Sequence, residues 1–392
     1  MTRLRRALSG IAEEAPAANL ADLIDLTLAG HRRKRRATAM LSAIATIATV
    51  VATGAVTAAV SPSRPHQAAA PGPAEAAPGP TEAAPGPTEA TPEPAEAVPD
   101  LPEGVVGPLD HAYETPCKVD KKRRNVDCGA VEWRVVTRAG RTYRLPQALA
   151  MTAQDRRAPI AISRDGRMLA YYSRQAQAHV VRDLVSGSQV TSPVTLKEAR
   201  IGAGSMLVLS DDGRHVVFDP REGSKEPGLL IDVRTGKTVR VPGKYEAISV
   251  RNGVAELVRY LKTDLWLMPV TGGGKPVRFN GAFMGFSELA PDGRTVVAFE
   301  RRDPKKWVQE MRTLTLLDAG TGRKLRTVPI RGLPESEPVV VTGLWRSGSE
   351  LTVLTLGKRA RAYGVDIRTG KAHHLADYPN TMSLVLPGIA SN

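Results

Sequence analysis

The side chains that could do chemistry in this chain are few and widely spread. Seven histidines include the adjacent pair His373 and His374, but neighbouring residues of a strand point to opposite faces and cannot chelate one ion. Glu256, Asp264, Glu288 and Glu300 are the carboxylates that a metal-dependent hydrolase would have to gather, and no three of them share a ligand spacing. No Gly-x-Ser-x-Gly elbow presents a nucleophilic serine. The two cysteines, Cys117 and Cys128, lack the further ligands that zinc wants. They suit a disulfide in an oxidising compartment, closing a short loop over Lys121, Lys122, Arg123 and Arg124. Such a bridge contributes roughly 2–3 kcal/mol by loop entropy. No catalytic residue, metal ligand or cofactor is expected from this inventory.

The recurrent polar residues are aspartates, and their spacing explains them better as turn formers. One signature is a hairpin on Asp-Gly: Asp165-Gly166, Asp212-Gly213 and Asp292-Gly293, with Asn252-Gly253 as a weaker copy. These dipeptides supply the positive φ angles of tight hairpins. The other is Asp-x-x-Ser/Thr-Gly, at Asp183 to Gly187, Asp232 to Gly236, Asp318 to Gly322 and Asp366 to Gly370. There the carboxylate accepts turn N–H groups and the glycine takes the left-handed position.

These turns must be held by strands, and the strands repeat. Counting weaker equivalents in 136–143 and 271–273, turn glycines fall at Gly140, Gly187, Gly236, Gly273, Gly322 and Gly370, with gaps of 47, 49, 37, 49 and 48. Two hairpins per unit make four strands, and four strands per 40–50 residues is the period of a propeller blade. The predicted fold of residues 110–392 is therefore an all-β, six-bladed β-propeller. Residues 131–146 supply only an outer hairpin for the first blade. The apolar stretch 382–386 is expected to dock there, closing the ring and hiding both sheet edges.

Before this domain the composition changes twice. Residues 61–109 read as a disordered Pro/Ala/Glu linker, with a seven-residue repeat over 69–75, 76–82 and 83–89 and a decayed copy over 90–96. Two prolines per unit exclude a coiled coil. As a semi-extended spacer of roughly 3.1 Å per residue it reaches up to ~100 Å. Residues 37–60 hold no charged side chain. A helix over this run is about 36 Å long, enough to cross a ~30 Å hydrocarbon core. The five cations Arg32, Arg33, Lys34, Arg35 and Arg36 precede it. They orient a single-pass anchor with residues 1–36 in the cytoplasm and the propeller outside. A cleaved signal sequence is the alternative, favoured by the small residues at 57–59.

Residues 1–36 form a basic cytoplasmic segment with two short amphipathic helices. Leu4, Leu8 and Ile11 mark one; Asn19 caps the other, which carries Leu20, Leu23, Ile24 and Leu28. Of the formal +14 charge, residues 1–36 hold +4 and residues 61–100 hold −5, which leaves +15 for 101–392. A basic exterior domain favours an anionic envelope polymer or an acidic extracytoplasmic protein, and the topology argues against nucleic acid. The stretch 301–307, Arg-Arg-Asp-Pro-Lys-Lys-Trp, falls between strands and is a candidate contact patch through its charge and its tryptophan.

The sequences Ser-Arg-Asp-Gly-Arg at 163–167 and Pro-Asp-Gly-Arg at 291–294 resemble the blades of TolB-type, WD-repeat-like propellers. The resemblance covers residues 131–386 and departs in two respects: two of the six units have degraded turns, and no Trp-Asp dipeptide closes a blade. It implies a binding, scaffolding or sensor module. The overall layout resembles actinobacterial single-pass membrane proteins with an exported propeller. Some of those partner sigma factors as anti-sigma-like regulators, which would place such a role in residues 1–36. The alternative function is a metal-dependent, lactonase-like hydrolase acting in the propeller channel.

Overall fold

In a computed structural model the described residues are 98–120, 125–221, 224–260, 263–301, 312–379 and 383–390. The expected cytoplasmic helices, the expected membrane anchor at 37–60 and the repeats of the linker lie outside them. Among the described residues no helix is long and apolar enough to cross a membrane.

Among the described residues the regular elements are all strands apart from one 3-10 turn at Glu198–Arg200. Strands β1 (Leu109–Glu114), β4 (Trp133–Thr137) and β5 (Thr142–Arg144) build the first blade, and β2 (Lys118–Asp120) pairs with β3 (Asn125–Asp127) as a separate hairpin. The second blade is β6 (Ala161–Ile162), β7 (Met168–Ser173), β8 (Ala178–Asp183) and β9 (Gln189–Thr195). The third is β10 (Met206–Leu209), β11 (His215–Asp219), β12 (Gly228–Asp232) and β13 (Thr238–Val241). The fourth is β14 (Glu246–Arg251), β15 (Val254–Arg259), β16 (Asp264–Pro269) and β17 (Val277–Arg278). The fifth is β18 (Phe283–Met284), β19 (Thr295–Glu300), β20 (Thr313–Asp318) and β21 (Lys324–Pro329). The sixth is β22 (Val339–Trp345), β23 (Glu350–Leu356), β24 (Ala360–Asp366) and β25 (Ala372–Tyr378). Every blade is an antiparallel meander, so the fold is a six-bladed β-propeller.

Burial along each blade follows from this arrangement. Middle strands are sandwiched between neighbouring blades and read as apolar runs: β7 is Met-Leu-Ala-Tyr-Tyr-Ser and is buried from its second residue onward. Outer strands keep one face in water, and β9 and β13 alternate accordingly. The core is divided into wedges, one at each blade junction. Leu207, Val216 and Phe218 of blade three meet Ala170, Tyr172 and Val181 of blade two. Trp345, Leu351 and Val353 of blade six likewise meet Val297, Phe299 and Leu314 of blade five.

The first blade takes its strands from three places. Val385 and Ala112 exchange backbone hydrogen bonds of 2.8 and 2.9 Å, which makes 385 the innermost position beside β1. The ring thus closes where β1 meets a single bridging residue, Val385, from the other end of the domain, and Ser383 Oγ adds a 2.6 Å hydrogen bond to Glu114. The sequence reading gave this blade only β4 and β5 before closure, and β1 is the addition. Residues 98–109, which that reading placed in the linker, also pack on the ring. Leu101, Val106 and Leu109 are buried, and the Val106 N–H donates to Leu184 O at 2.8 Å.

Adjacent blades also meet through the turn glycines. Gly370 has φ +76°, and a Cβ there would lie 2.0 Å from Pro329 O on the outer strand of blade five. Gly322 stands against Arg278 O of blade four in the same way. Gly140 has φ +79° with nothing within 4 Å. Gly140→Ala is therefore expected to cost only the left-handed dihedral, about 1 kcal/mol. Gly370→Ala adds a backbone clash and should cost at least about twice that. Urea midpoints of the two variants check this, and equal losses would rule out the close approach as a stabilising contact.

Candidate functional site

Antiparallel order puts the first-to-second and third-to-outer turns of every blade on one face of the ring. Both aspartate signatures therefore share this turn face. The remaining connections make the opposite, connector face.

At the turn-face mouth of the channel, groups from blades two, four and six converge on Glu288 of blade five, which lies between β18 and β19 and is buried. The Arg164 guanidinium of blade two bonds its Oε1 and also reaches the Trp345 carbonyl of blade six. The Trp345 N–H donates to Oε1 at 2.9 Å, and its indole Nε1 donates to the Glu288 carbonyl at 2.9 Å. Arg251 of blade four donates to Oε2 at 3.0 Å and to Asp211 of blade three at 3.2 Å. The C-terminal segment enters the same mouth: the Gly388 N–H donates to Ile162 O at 2.8 Å, and Ile389 lines the space that is left. That space is about 10 Å³, room for roughly one water molecule.

Glu256 lies beside this hub on β15. Its Oε2 accepts from Ser249 Oγ at 3.0 Å and from the Leu289 N–H at 2.9 Å, while Oε1 has no partner. Burial pushes its pKa up to about 8; the bonds from the Leu289 N–H and Ser249 and the Arg251 charge offset only part of this, and the Glu288 charge adds a smaller push upward. Burial thus favours the neutral carboxylic acid over the carboxylate at pH 7. His179 shows the opposite case between blades two and three. Its ring packs between Tyr172 and Phe218, 5.9 and 5.0 Å away, and burial lowers its pKa to about 4.

The structure separates the other carboxylates. Asp264 is bound by Arg259 and Arg278 near the connector face, and Glu300 pairs with Lys324 at 2.7 Å. Among the described residues no three His, Cys, Asp or Glu side chains are grouped to hold a metal ion. His373 and His374 lie on outer strand β25, with His374 3.0 Å from Asp377. Cys117 and Cys128 are joined, Cα to Cα 4.4 Å, across the β2–β3 hairpin. Of the candidate patch 301–307, residues 302–307 lie outside the described residues.

The aspartates sit in the turns. Asp165 and Asp212 each accept the N–H two residues on, at 3.0 Å, and Asp292 accepts from Arg294 and Thr295 at 2.8 Å. Asp183, Asp232, Asp318 and Asp366 each take two turn N–H groups, and Gly166, Gly187, Gly213, Gly236, Gly293, Gly322 and Gly370 all have positive φ. The arginine after each Asp-Gly escaped the sequence reading although it is present three times. Arg167, Arg214 and Arg294 reach across their blades to Asp183, Asp232 and Asp318 at 3.5, 2.9 and 2.6 Å. Each pair ties one signature to the other. At Asp232 burial opposes ionisation, but the Thr235 N–H, Arg214 and the Arg234 N–H together hold the pKa at about 2. Asp318 is lowered chiefly by its bond from Arg294.

No protein-family profile matches this chain, and no curated protein matches it. Solved structures that it is similar to include the RRP9 WD40 repeats, at 12% identity and TM-score 0.41, covering 71% of this chain and 86% of that one. The β-propeller domain of Myceliophteria thermophila Cps50 (Swd1) matches at 14% identity and TM-score 0.35, covering 56% and 70%. Dihydro-heme d1 dehydrogenase NirN in complex with DHE matches at 17% identity and TM-score 0.38; the chain covers it with 73% of its own length and spans 57% of that protein. These likenesses are of fold.

The Glu256 geometry generates a pH prediction. The native state keeps a proton that the unfolded chain loses above about 4.5, so this group's contribution to stability falls as pH rises from 4.5 to about 8. Glu256→Gln keeps the shape and removes the titration. Its stability relative to the parent is expected to rise between pH 5 and pH 9, measured as the difference in urea midpoints. A difference that stays constant over that range would show that Glu256 is ionised in the native state.

Proposed function

We propose that this chain is a membrane-tethered binding or scaffolding module without a catalytic centre, a TolB-type propeller held outside the cell. The observation that carries the reading is the filled channel mouth. Arg164, Arg251 and Glu288 satisfy one another, and the space left beside them, lined in part by Ile389, is about 10 Å³. Recognition then falls to the two faces and the rim, as suits a rigid ring whose loops vary. The residue pattern before the domain supports the rest. The uncharged run 37–60 behind five cations reads as the anchor, and the Pro/Ala/Glu repeats read as the spacer. An exterior domain that holds the basic surplus suits an anionic envelope polymer or an acidic extracytoplasmic protein. Residues 1–36 are left to meet a cytoplasmic partner of the sigma-factor kind.

Protease shaving of intact cells that express the full chain tests the topology. An epitope placed after residue 392 is expected to be lost, and one placed before Met1 to be retained until the cells are opened. Survival of the C-terminal epitope in intact cells would overturn the reading.

A further inference from the structure

On the connector side of blade three lies a cavity of about 410 Å³, lined by Lys225, Pro227, Arg240, Pro242, Gly243 and Lys244. Three of these six are cations and none is an acid. All three are exposed, and among the described residues none of their side chains has an ion-pair partner. This is unlike connector-side cations of blades two and six, where Arg174 meets Glu198 at 2.8 Å and Arg361 meets Glu337 at 2.7 Å. Glu226 stands next to Lys225 in sequence, yet its carboxylate is 2.9 Å from Arg200 instead.

The cations are held there by backbone packing. A Cβ on Gly243 would lie 2.1 Å from Glu226 O and 2.7 Å from the Lys225 carbonyl carbon, so the two connections touch main chain to main chain. That contact sets Lys225 beside Lys244. The Lys244 ammonium is 5.8 Å from the Tyr245 ring centroid, and Arg240 projects from β13. Pro227 and Pro242 fix φ in the walls. Gathering three like charges is unfavourable unless an anion completes the set. Two ammonium groups and a planar guanidinium suit the clustered oxygens of phosphoryl groups. The volume is that of a ligand cleft rather than a single-anion site.

We infer that the cavity formed by Lys225, Arg240 and Lys244 binds a run of phosphoryl groups, as in a linear phosphate polymer. The inference rests on the reading of this domain as a binding module but not on its topology, so the binding test below and protease shaving can fail separately.

The test is calorimetric titration of the detergent-solubilised full chain with inorganic phosphate, tripolyphosphate, long-chain polyphosphate and poly-glutamate. Tripolyphosphate and polyphosphate are expected to bind, and phosphate alone to bind far more weakly. Combining Lys225→Gln, Arg240→Gln and Lys244→Gln should weaken tripolyphosphate at least about tenfold. A control combining Lys237→Gln, Arg323→Gln and Lys371→Gln, equal in charge loss and placed on turn-face connections, should leave binding near the parent value. Absence of binding to the parent chain overturns the inference, as does equal weakening by the control set. Binding of poly-glutamate as tight as that of polyphosphate overturns the phosphoryl assignment.

Discussion

The interaction on which the ring most depends is the set of bonds to the Glu288 side chain. A propeller has no central core; its apolar contacts lie in separate wedges between blades, and each wedge knows only its two neighbours. Glu288 is the place where distant blades meet directly, through Arg164, Arg251 and the Trp345 main chain. It is nearly inaccessible while its two arginines keep part of their surface in water. The pair therefore avoids the full desolvation of a wholly buried bridge. Removing the carboxylate alone would leave two converging guanidinium groups with only Asp211 opposite them.

The hub has a functional consequence. Its side chains, with Gly388 and Ile389, line a space of only about 10 Å³ at the channel mouth; the proposed reading accordingly assigns recognition to the periphery. On the turn face the Arg–Asp ties spend most of the repeated charges within their own blades. The connector face differs: its loops vary in length, and on blade three, among the described residues, three exposed cations have no ion-pair partner. On the proposed reading the repeated element holds the ring and the irregular element binds.

Much of the architecture was legible because turn chemistry is local. Asp-Gly and Asp-x-x-Ser/Thr-Gly state their dihedral needs within five residues, and their recurrence set the blade period and the blade number. Closure at Val385 was legible from an apolar stretch with no hairpin partner. Strand β1 was not, because it stands before the cysteine hairpin with a register shift between Leu109 and His111 and no turn signature beside it. Leu101 and Val106 were hidden in a stretch whose prolines and glutamates read as spacer. The Glu288 hub was illegible for a different reason. Arg164 and Glu288 are 124 residues apart, and nothing local marks a carboxylate that will meet arginines from other blades. The cavity on blade three depends likewise on Gly243 meeting Glu226, a contact made only after β12 and β13 pair.

The central claim is that Arg164 and Glu288 act as one unit across the ring, and a double-mutant cycle measures it. Urea unfolding at pH 7 of Arg164→Met, Glu288→Gln and the double variant yields the coupling. The account predicts that Glu288→Gln alone costs about 3–5 kcal/mol and that the double variant loses less than the sum of the singles by at least about 1.5 kcal/mol. Additivity to within about 0.5 kcal/mol would contradict it, leaving the blades held by their wedges alone.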